Sequence, residues 1–467
     1  MKNRVAGVGS LAVVLYAGSA VNAQCVPSWD VTSGMPGVTG GYAAPVRAWN
    51  DGSGEKLFVG GSFTAAGGSG ANQYLAKWNA ATNSWSSLGS GISGGFTNAF
   101  MTSLVPFNSG TGERLVAGGF FDTAGGVPNT ASLAMWNGTS WEAMGTGWTG
   151  TTRGSIWSMA TWNGRLYVGG GIVNQPPVFA GQPWAGMASW DGTTWVPTVT
   201  AITGNNVGLM AMAVFNDGSG EKLYVAGRFS SLNSVSGTSL IARWDGSNWS
   251  SVGGGLLSTN ANFGLEAMSV FNDGTGPALY VGGYAFTGSG LGASNVAKWN
   301  GSAWTTVGGQ IGTGRITSMA VFDDGGGSKL YIGGTAMPQI NYIARWENNA
   351  WVTVGGGIPV PGASPFPSVF GLGVWGDKLY VAGNFTQVST LATSGLAAWT
   401  SCSASSCYPN CDGSTTAPIL NVLDFSCFLN KFASGDTYAN CDHSTTAPVL
   451  NVLDFGCFLN SFAAGCT

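Results

Sequence analysis

Two sets of oxygen-bearing side chains near the end of the chain have the residue types and spacing of a cation site. They recur in the same order, as Asn410, Asp412, Ser414, Asn421 and Asp424, and as Asn440, Asp442, Ser444, Asn451 and Asp454. Calcium takes hard oxygen ligands at alternate loop positions and a carboxylate about 12 residues along, on the first turn of a helix. We therefore expect two calcium loops. The alternative is a disulfide-held module whose loops no longer bind metal.

The segments that contain these sets are nearly identical, Tyr408–Phe425 and Tyr438–Phe455, and each leads into a predicted amphipathic helix, Val422–Phe432 or Val452–Phe462. This duplicated loop–helix unit resembles a dockerin, a paired half-EF-hand module that binds cohesin domains and anchors exported proteins. The cysteine-bearing GC-type form is the most similar, since the chain ends with Gly465-Cys466 before its last residue. The resemblance implies bound Ca²⁺ and a cohesin-like protein partner.

Eight cysteines, an even number, indicate four disulfides and an oxidising compartment. The duplication suggests one bond within each copy, and the remaining cysteines flank either the tail or the preceding domain. The hypothesis is the set Cys411–Cys427, Cys441–Cys457, Cys407–Cys466 and Cys25–Cys402.

Three tryptophans form a candidate ligand platform, because the other 17 of the 20 occupy repeating positions. These three belong to one neighbourhood with a phenylalanine and an arginine: Trp148, Arg153, Trp157, Phe179 and Trp184. Flat apolar faces beside polar groups suit sugar rings or the side chains of a protein partner. The alternative is that this long loop packs on its own tryptophans as a satellite cluster.

Catalysis has few candidates. The single histidine, His443, lies in the tail, which excludes histidine-activated nucleophiles and common zinc sites from the preceding domain. Most acids occur in predicted hairpin turns; Asp122, Glu142 and Glu266 are the main exceptions. We expect Asp122 and Glu266 to lie far apart, whereas paired glycosidase carboxylates lie about 5–9.5 Å apart. A non-catalytic binding protein is therefore favoured over a carbohydrate-active enzyme using these carboxylates; a purely structural surface protein is a third possibility.

The elements that position these residues come from a unit of about 54 residues, since internal periods of this size indicate propellers or solenoids. Each unit has an apolar strand ending in an aromatic, a Leu-Tyr-Val-Gly-Gly-type strand and two strands that carry tryptophans. The first tryptophan series is Trp78, Trp136, Trp190, Trp244, Trp299, Trp346 and Trp399. The second is Trp85, Trp141, Trp195, Trp249, Trp304 and Trp351.

The seventh member of the second series is at the front of the chain, at Trp29. A repeat split between the two ends predicts an all-β, seven-bladed β-propeller closed by the N-terminal strand, plus a small α-helical C-terminal domain. The Gly-Gly and tryptophan pattern resembles the kelch family of propellers. Propellers serve as enzymes, lectins and scaffolds, so this fold alone does not give the function.

The predicted domains are a signal peptide at 1–23, the propeller at 24–402 and the dockerin-like module at 403–467. Lys2 and Arg4, an apolar run and a small-residue cleavage site indicate export. No later segment is long and apolar enough to span a membrane. The net charge of −4 and the absence of a basic stripe argue against nucleic acid as a partner. We expect a protein that is secreted or at the cell surface.

Overall fold

The computed structural model describes residues 27–32, 37–94, 99–110, 112–149, 154–171, 178–360, 366–401, 410–412, 420–436, 439–441 and 450–464. One compact unit is Pro27–Ser401, and the two helices near the end of the chain belong to another. The predicted signal peptide lies outside the described residues. Within the described part of the chain, no helix is both long and apolar enough to cross a membrane.

The Pro27–Ser401 unit is built from antiparallel sheets whose four main strands follow one another in the chain. The first consists of Ala43–Asn50, Glu55–Gly61, Leu75–Asn79 and Ser84–Ser87, and the second of Phe100–Asn108, Glu113–Phe120, Leu133–Trp136 and Trp141–Glu142. The third consists of Ile156–Trp162, Arg165–Gly170, Met187–Trp190 and Trp195–Pro197, and the fourth of Gly208–Asn216, Glu221–Arg228, Ile241–Trp244 and Trp249–Ser251. The fifth consists of Leu265–Asn272, Pro277–Gly288, Leu291–Trp299 and Trp304–Thr306, with the short strand Leu257–Ser258 added.

The last sheet has eight strands and contains two further sets of four. One set is Arg315–Asp323, Ser328–Thr335, Ile343–Glu347 and Ala350–Thr353. The other set is Ser368–Trp375, Lys378–Asn384, Leu396–Thr400 and Ser28–Asp30. The two sets are joined where Thr335 pairs with Ser368.

Short elements complete this unit. The paired two-residue strands are Val38–Thr39 with Ala65–Ala66, Ile92–Ser93 with Thr123–Ala124, Ile202–Thr203 with Ser231–Leu232, and Gln387–Val388 with Leu391–Ala392. A three-stranded sheet contains Trp148–Thr149, Val178–Phe179 and Gln182–Pro183. A 3₁₀ turn of this unit covers Pro338–Ile340.

The N-terminal strand joins the last sheet, where Trp29 pairs with Trp399. The indole Nε1 of Trp29 donates to the Gly355 carbonyl at 2.9 Å. Trp304 makes a similar bond across to the preceding sheet, to the carbonyl of Val252 at 3.0 Å; the acceptor of Trp29 lies one residue later in its own set, after Val354. Trp29 therefore occupies the structural position of the second tryptophan series, although it comes from the other end of the chain.

Turn residues determine where the first strand of a set ends. Asn216 accepts the backbone N–H groups of Gly218 and Gly220 at 3.0 and 3.2 Å. Both glycines have φ near +95°, a conformation that glycine adopts without steric cost. The acidic turns thus supply turn chemistry, as the sequence indicates. At the other end of each first strand the register shifts by one residue, as at Glu266 between Leu265 and Ala267.

These first strands also contact one another across the sheets. Ala43–Asn50 contacts Phe100–Asn108 of the next sheet in the chain, and it also contacts Ser368–Trp375 near the end of the unit. The buried residues lie between neighbouring sheets, where aromatic side chains such as Trp136 and Trp299 are about 5% exposed or less. The first strands are therefore held against one another by the packing between neighbouring sheets.

The second unit contains two helices, α1 (Val422–Ser434) and α2 (Val452–Ala464). Each extends two residues beyond its predicted end. Asn421 caps α1 by accepting the Leu423 N–H, and the Asp424 carboxylate accepts the Asn421 N–H, which completes a capping box. The apolar interior of this unit is small and centres on Phe428 and Phe458, which are fully buried.

Candidate functional site

Three of the five residues predicted to bind a ligand pack against one another. Trp148, Phe179 and Trp184 are 9%, 4% and 3% exposed. The ring centroids of Trp148 lie 4.7 Å from Phe179 and 5.2 Å from Trp184, and Phe179 also contacts Trp195 at 4.8 Å. The Trp184 indole donates to the carbonyl of Gly171. In this structure these faces cover each other, which is the satellite cluster that the sequence left as the alternative.

Trp157 lies elsewhere, and Arg153 is outside the described residues. The Trp157 ring is partly exposed and rests against the backbones of Gly171 and Gly208, where an added Cβ would meet the ring at 2.8 and 2.0 Å. The guanidinium carbon of Arg228 lies 5.4 Å from the centroid of this ring. Trp157 occupies the position where the register of its strand shifts, between Ile156 and Ser158.

Glu266 occupies the same shifted position two sheets further on and is flanked by arginines. Its carboxylate accepts from Nη1 of Arg315 at 3.0 Å, and the Glu266 side chain is only 7% exposed. Burial raises the pKa of Glu266 above its ordinary value, while the positive charges of Arg315 and Arg228 oppose that rise. Two guanidinium groups around one carboxylate give this region a local excess of positive charge in an acidic protein.

Aromatic rings line the second arginine as well. The Arg315 guanidinium carbon lies 5.2 Å from the centroid of the Phe263 ring, and Phe263 stacks on Tyr284 with centroids 4.8 Å apart. Arg228 donates to the carbonyl of Asn262, beside Phe263. We call Trp157, Arg228, Phe263, Glu266 and Arg315 the arginine–aromatic cluster.

Trp157 and Glu266 stand out in the sequence, whereas Arg228, Phe263 and Arg315 do not. Arg228 is the last residue of the second strand of the fourth sheet, where it pairs with Gly208. Arg315 is the first residue of the strand Arg315–Asp323, where it pairs with Thr335. Few cations lie away from the acidic hairpin turns, and that signal could have identified both arginines. What brings them together is contact between successive sheets, which sequence spacing does not encode.

The remaining acids do not join this cluster in the described contacts. Glu142 accepts from Nε of Arg114 at 3.1 Å and from Asn137, at the tryptophan hairpin of its sheet. Asp122 is partly buried, just after the strand Glu113–Phe120. The described hydrogen-bond partner of Glu266 is therefore Arg315, and its described contacts do not place a second carboxylate beside it for glycoside hydrolysis.

The predicted calcium ligands are described only in part, because Ser414, Asp442 and Ser444 lie outside the described residues. Asn410 is 5% exposed, and Asp424 and Asp454 are fully buried. Asp424 accepts the backbone N–H of Asp412 at 3.1 Å and that of Asn421 at 2.9 Å. Asp454 accepts the Asn451 N–H at 2.8 Å in the second copy, so the two loops start their helices alike.

The donor set fits a hard cation only as far as it is described. No described cationic side chain pairs with Asp424, so its buried charge is balanced by N–H groups and would be balanced further by a divalent ion. Within the described residues there is no group of three or more His, Cys, Asp or Glu side chains arranged to hold a metal. The neutral oxygens of Asn410 and Asn440 would have to complete such sites.

Two disulfides lie among the described residues of the second unit. Cys411 bonds to Cys427 and Cys441 bonds to Cys457, which is the pairing within each copy that the duplication indicates. Cys25, Cys402, Cys407 and Cys466 lie outside the described residues, so their pairing stays a prediction. Disulfides of this kind are typical of proteins in oxidising compartments.

Comparison with known proteins leaves the family open. No family model matches the chain, and no curated protein matches it. Among solved structures, the extracellular domain of a putative hybrid two-component system from B. thetaiotaomicron aligns with a TM-score of 0.46 at 11% identity, covering 80% of this chain and 40% of that one. The chain thus spans about two fifths of that protein's length.

Two further structures align more weakly. A computationally designed protein, Ika8, gives a TM-score of 0.41 at 9% identity, covering 80% of this chain and all of that one. YCF48 bound to a D1 peptide gives 0.31 at 12% identity, covering 66% and 97%. Similarities this low carry no functional argument. The successive four-stranded antiparallel sheets of the chain itself fit a β-propeller.

Proposed function

We propose that the chain is an exported, non-catalytic binding protein in which a propeller recognises a ligand and the C-terminal module attaches the protein to a cohesin-type receptor. One observation carries this proposal. The duplicated helices expose the same apolar pair at their starts, Val422 and Leu423 in α1 and Val452 and Leu453 in α2, at 60–78% exposure.

These apolar pairs argue for a partner because large apolar side chains that stay exposed in both copies have no role in the small interior. Leu429 and Leu459, farther along the same helices, are also about 40% exposed. Duplicated exposed apolar residues of this kind mark interaction surfaces. The similarity to a dockerin makes a cohesin-type protein the partner that we propose, with Ca²⁺ ordering the loops that position these helix starts.

The attachment is tested by surface capture of the full chain on immobilised cohesin domains, in calcium and in chelator. We expect Leu423→Asp combined with Leu453→Asp to abolish capture. Val360→Asp is the matched control, since Val360 is 47% exposed in the other unit. Equal capture of the double variant and the control would refute the attachment role.

For the propeller we propose seven blades closed into a ring, of a kelch-like type. The eight-stranded sheet counts as two blades, and the strand Ser28–Asp30 then completes the last one through its pairing with Leu396–Thr400. Contact of Ala43–Asn50 with Ser368–Trp375 supports closure. A bond between Cys25 and Cys402 would reinforce it.

The ligand face that we propose is the arginine–aromatic cluster, and its ligand is an acidic polysaccharide. Of the five N–H donors on Arg315, the described contacts use those to Glu266 and Thr335. The remaining fork can take a carboxylate in a bidentate manner. The adjoining rings of Trp157 and Phe263 can cover the apolar face of a sugar ring. Uronic-acid polymers carry both features.

Retention on polysaccharide matrices tests this ligand, with polygalacturonate and alginate compared against cellulose and starch. We expect retention on the acidic polymers that weakens with salt and is lost in Arg228→Gln combined with Arg315→Gln. Arg165→Gln is the control, since Arg165 pairs with Asp191 at a hairpin turn. Undiminished retention of the double variant would refute this ligand. Failure of the unmodified chain to be retained on either acidic polymer would also refute it and would favour a protein ligand.

An enzyme is the second candidate, because the raised pKa of Glu266 is a property of catalytic acids. Product release from a polysaccharide that Glu266→Gln abolishes would support it. The 3.0 Å ion pair to Arg315 favours the binding role instead, since the arginine charge opposes the rise in pKa that burial causes and occupies the carboxylate.

A further inference from the structure

A cleft of about 400 Å³ opens at the hairpin ends of the first and last sheets, where their first strands finish. This is the opposite end of those strands from the register shifts that carry the arginine–aromatic cluster. Its volume is within the ordinary range of ligand pockets, about 300–1,000 Å³. Three aromatic side chains wall it: Trp78, Trp375 and Tyr380.

The hairpin that borders the cleft is shorter than those of the fourth and fifth sheets, and it is as short as the Asn163-Gly164 turn of the third sheet. In the fourth sheet a four-residue turn places the Asp217 carboxylate where it accepts the hydroxyl of Tyr224 at 2.8 Å. In the fifth sheet Asp273 accepts the hydroxyl of Tyr280 in the same way at 2.9 Å. The last set of strands instead joins Trp375 to Lys378 through only Gly376 and Asp377. No longer turn folds over the equivalent tyrosine there, and Tyr380 lines the open space.

The aromatic walls are fixed rather than mobile. The Trp78 ring centroid lies 5.7 Å from that of Trp375 and 6.3 Å from that of Tyr380. Trp78 donates its indole N–H to Asn83 at 3.0 Å, and Trp375 donates to Glu55 at 2.8 Å. Rings held in this way can receive a flat apolar face without losing side-chain freedom on binding.

Polar groups of both kinds share the cleft with these rings. Lys378 donates to Asp30 at 2.6 Å, which offsets its charge, and Asp377 supplies an acceptor. The asparagine amide of Asn83 and the phenol of Tyr380 can both donate and accept. A neutral ligand with adjacent hydroxyl groups and an apolar ring face matches this mixture, whereas an anion would be repelled by Asp377 and a cation by Lys378.

We propose that this cleft binds a neutral hexopyranose unit, stacked on Trp375 and hydrogen-bonded through Asp377 and Lys378. It is independent of the arginine–aromatic cluster and of the acidic ligand proposed for it. A neutral sugar at this end would give the propeller a second carbohydrate contact.

Calorimetric titration of the full chain with cellobiose, maltose and N,N′-diacetylchitobiose tests the site. We expect saturable binding of at least one disaccharide. Ala80→Trp fills the cleft from its rim and should remove that binding, while Ala81→Trp, at an exposed neighbour outside the lining, should preserve it. Asp377→Asn should weaken binding about tenfold, through loss of a charge-assisted hydrogen bond.

The same titrations separate this proposal from the acidic-ligand proposal. Arg228→Gln combined with Arg315→Gln should leave disaccharide binding unchanged. Saturable binding that persists in Ala80→Trp, or no saturable binding of any of the three sugars by the unmodified chain, would overturn the cleft proposal whatever happens on acidic polymers.

Discussion

Phe428 and Phe458, at equivalent positions in the two copies of the tail, stack face to face with ring centroids 4.0 Å apart and planes 14° apart. Phe425 and Phe455 meet nearby, with centroids 5.7 Å apart. The duplication therefore pairs each helix with its own copy through identical side chains. The interior of this unit is so small that this one stack is a large part of it.

Replacing half of the stack should unfold the tail without disturbing the propeller. We expect Phe428→Ala to cost about 3–5 kcal/mol, as for a fully buried aromatic. Denaturation followed by the far-ultraviolet helix signal measures this. Leu459→Ala, at a residue 40% exposed on α2, should cost less than about 1 kcal/mol. Equal losses in the two variants would contradict a central role for the stack.

The indole bonds between sheets should contribute to stability one sheet at a time. Trp304→Phe removes the N–H that the buried carbonyl of Val252 accepts, and an unsatisfied buried group costs about 1–3 kcal/mol. If the ring is closed, Trp29→Phe should also lower stability, but by less than Trp304→Phe, because its bond to Gly355 is only partly buried. Chemical denaturation measures both. Trp375→Phe, whose indole bonds to the exposed carboxylate of Glu55, should cost less. A negligible cost for Trp29→Phe would argue against closure.

The hairpin acids should make the propeller sensitive to acid. Ser219, Tyr224 and Lys222 hydrogen-bond to Asp217, which holds its pKa below the ordinary value despite burial. A depressed pKa contributes stability that is present above the unfolded value, about 3.9, and is lost as pH falls toward the folded value.

Asp217→Asn should therefore lower the thermal midpoint at pH 6 and lose that deficit as the pH falls from about 4 to 2. The midpoints of the two proteins should converge in that window. Glu221→Gln, at the exposed start of the next strand, serves as the control. A deficit that is independent of pH would show that the carboxylate charge has no part in stability.

The strand order of each sheet follows from the sequence because turn glycines and apolar strands recur at a fixed period. The position of Trp29 follows from the same repeat, since it fills the one missing place in a series. The arginine–aromatic cluster does not follow, because Arg228 and Arg315 belong to strands far apart in sequence and meet only through contact between sheets. Trp148 and Trp184 occupy positions outside the repeating tryptophan series, which suggests that they are available to a ligand. Both are buried by packing within their own loop region, and sequence position alone does not reveal this.

The tail loops provide the most direct test of the proposed calcium sites. Calcium that binds only the folded module should raise the unfolding midpoint of its helix signal. At a free calcium concentration of one hundred times the dissociation constant, the gain in the free energy of unfolding is about 2.7 kcal/mol. Asp424→Asn should abolish this gain and also lower stability in chelator, because Asp424 closes the capping box on Asn421.

Asp412→Asn should reduce the calcium gain while keeping the capping box. Asp436→Asn, at the end of α1, should keep the full gain, since Asp436 pairs with Lys431 outside the loops. A midpoint that is the same in calcium and in chelator for the unmodified chain would mean that the duplicated oxygens serve as helix caps alone.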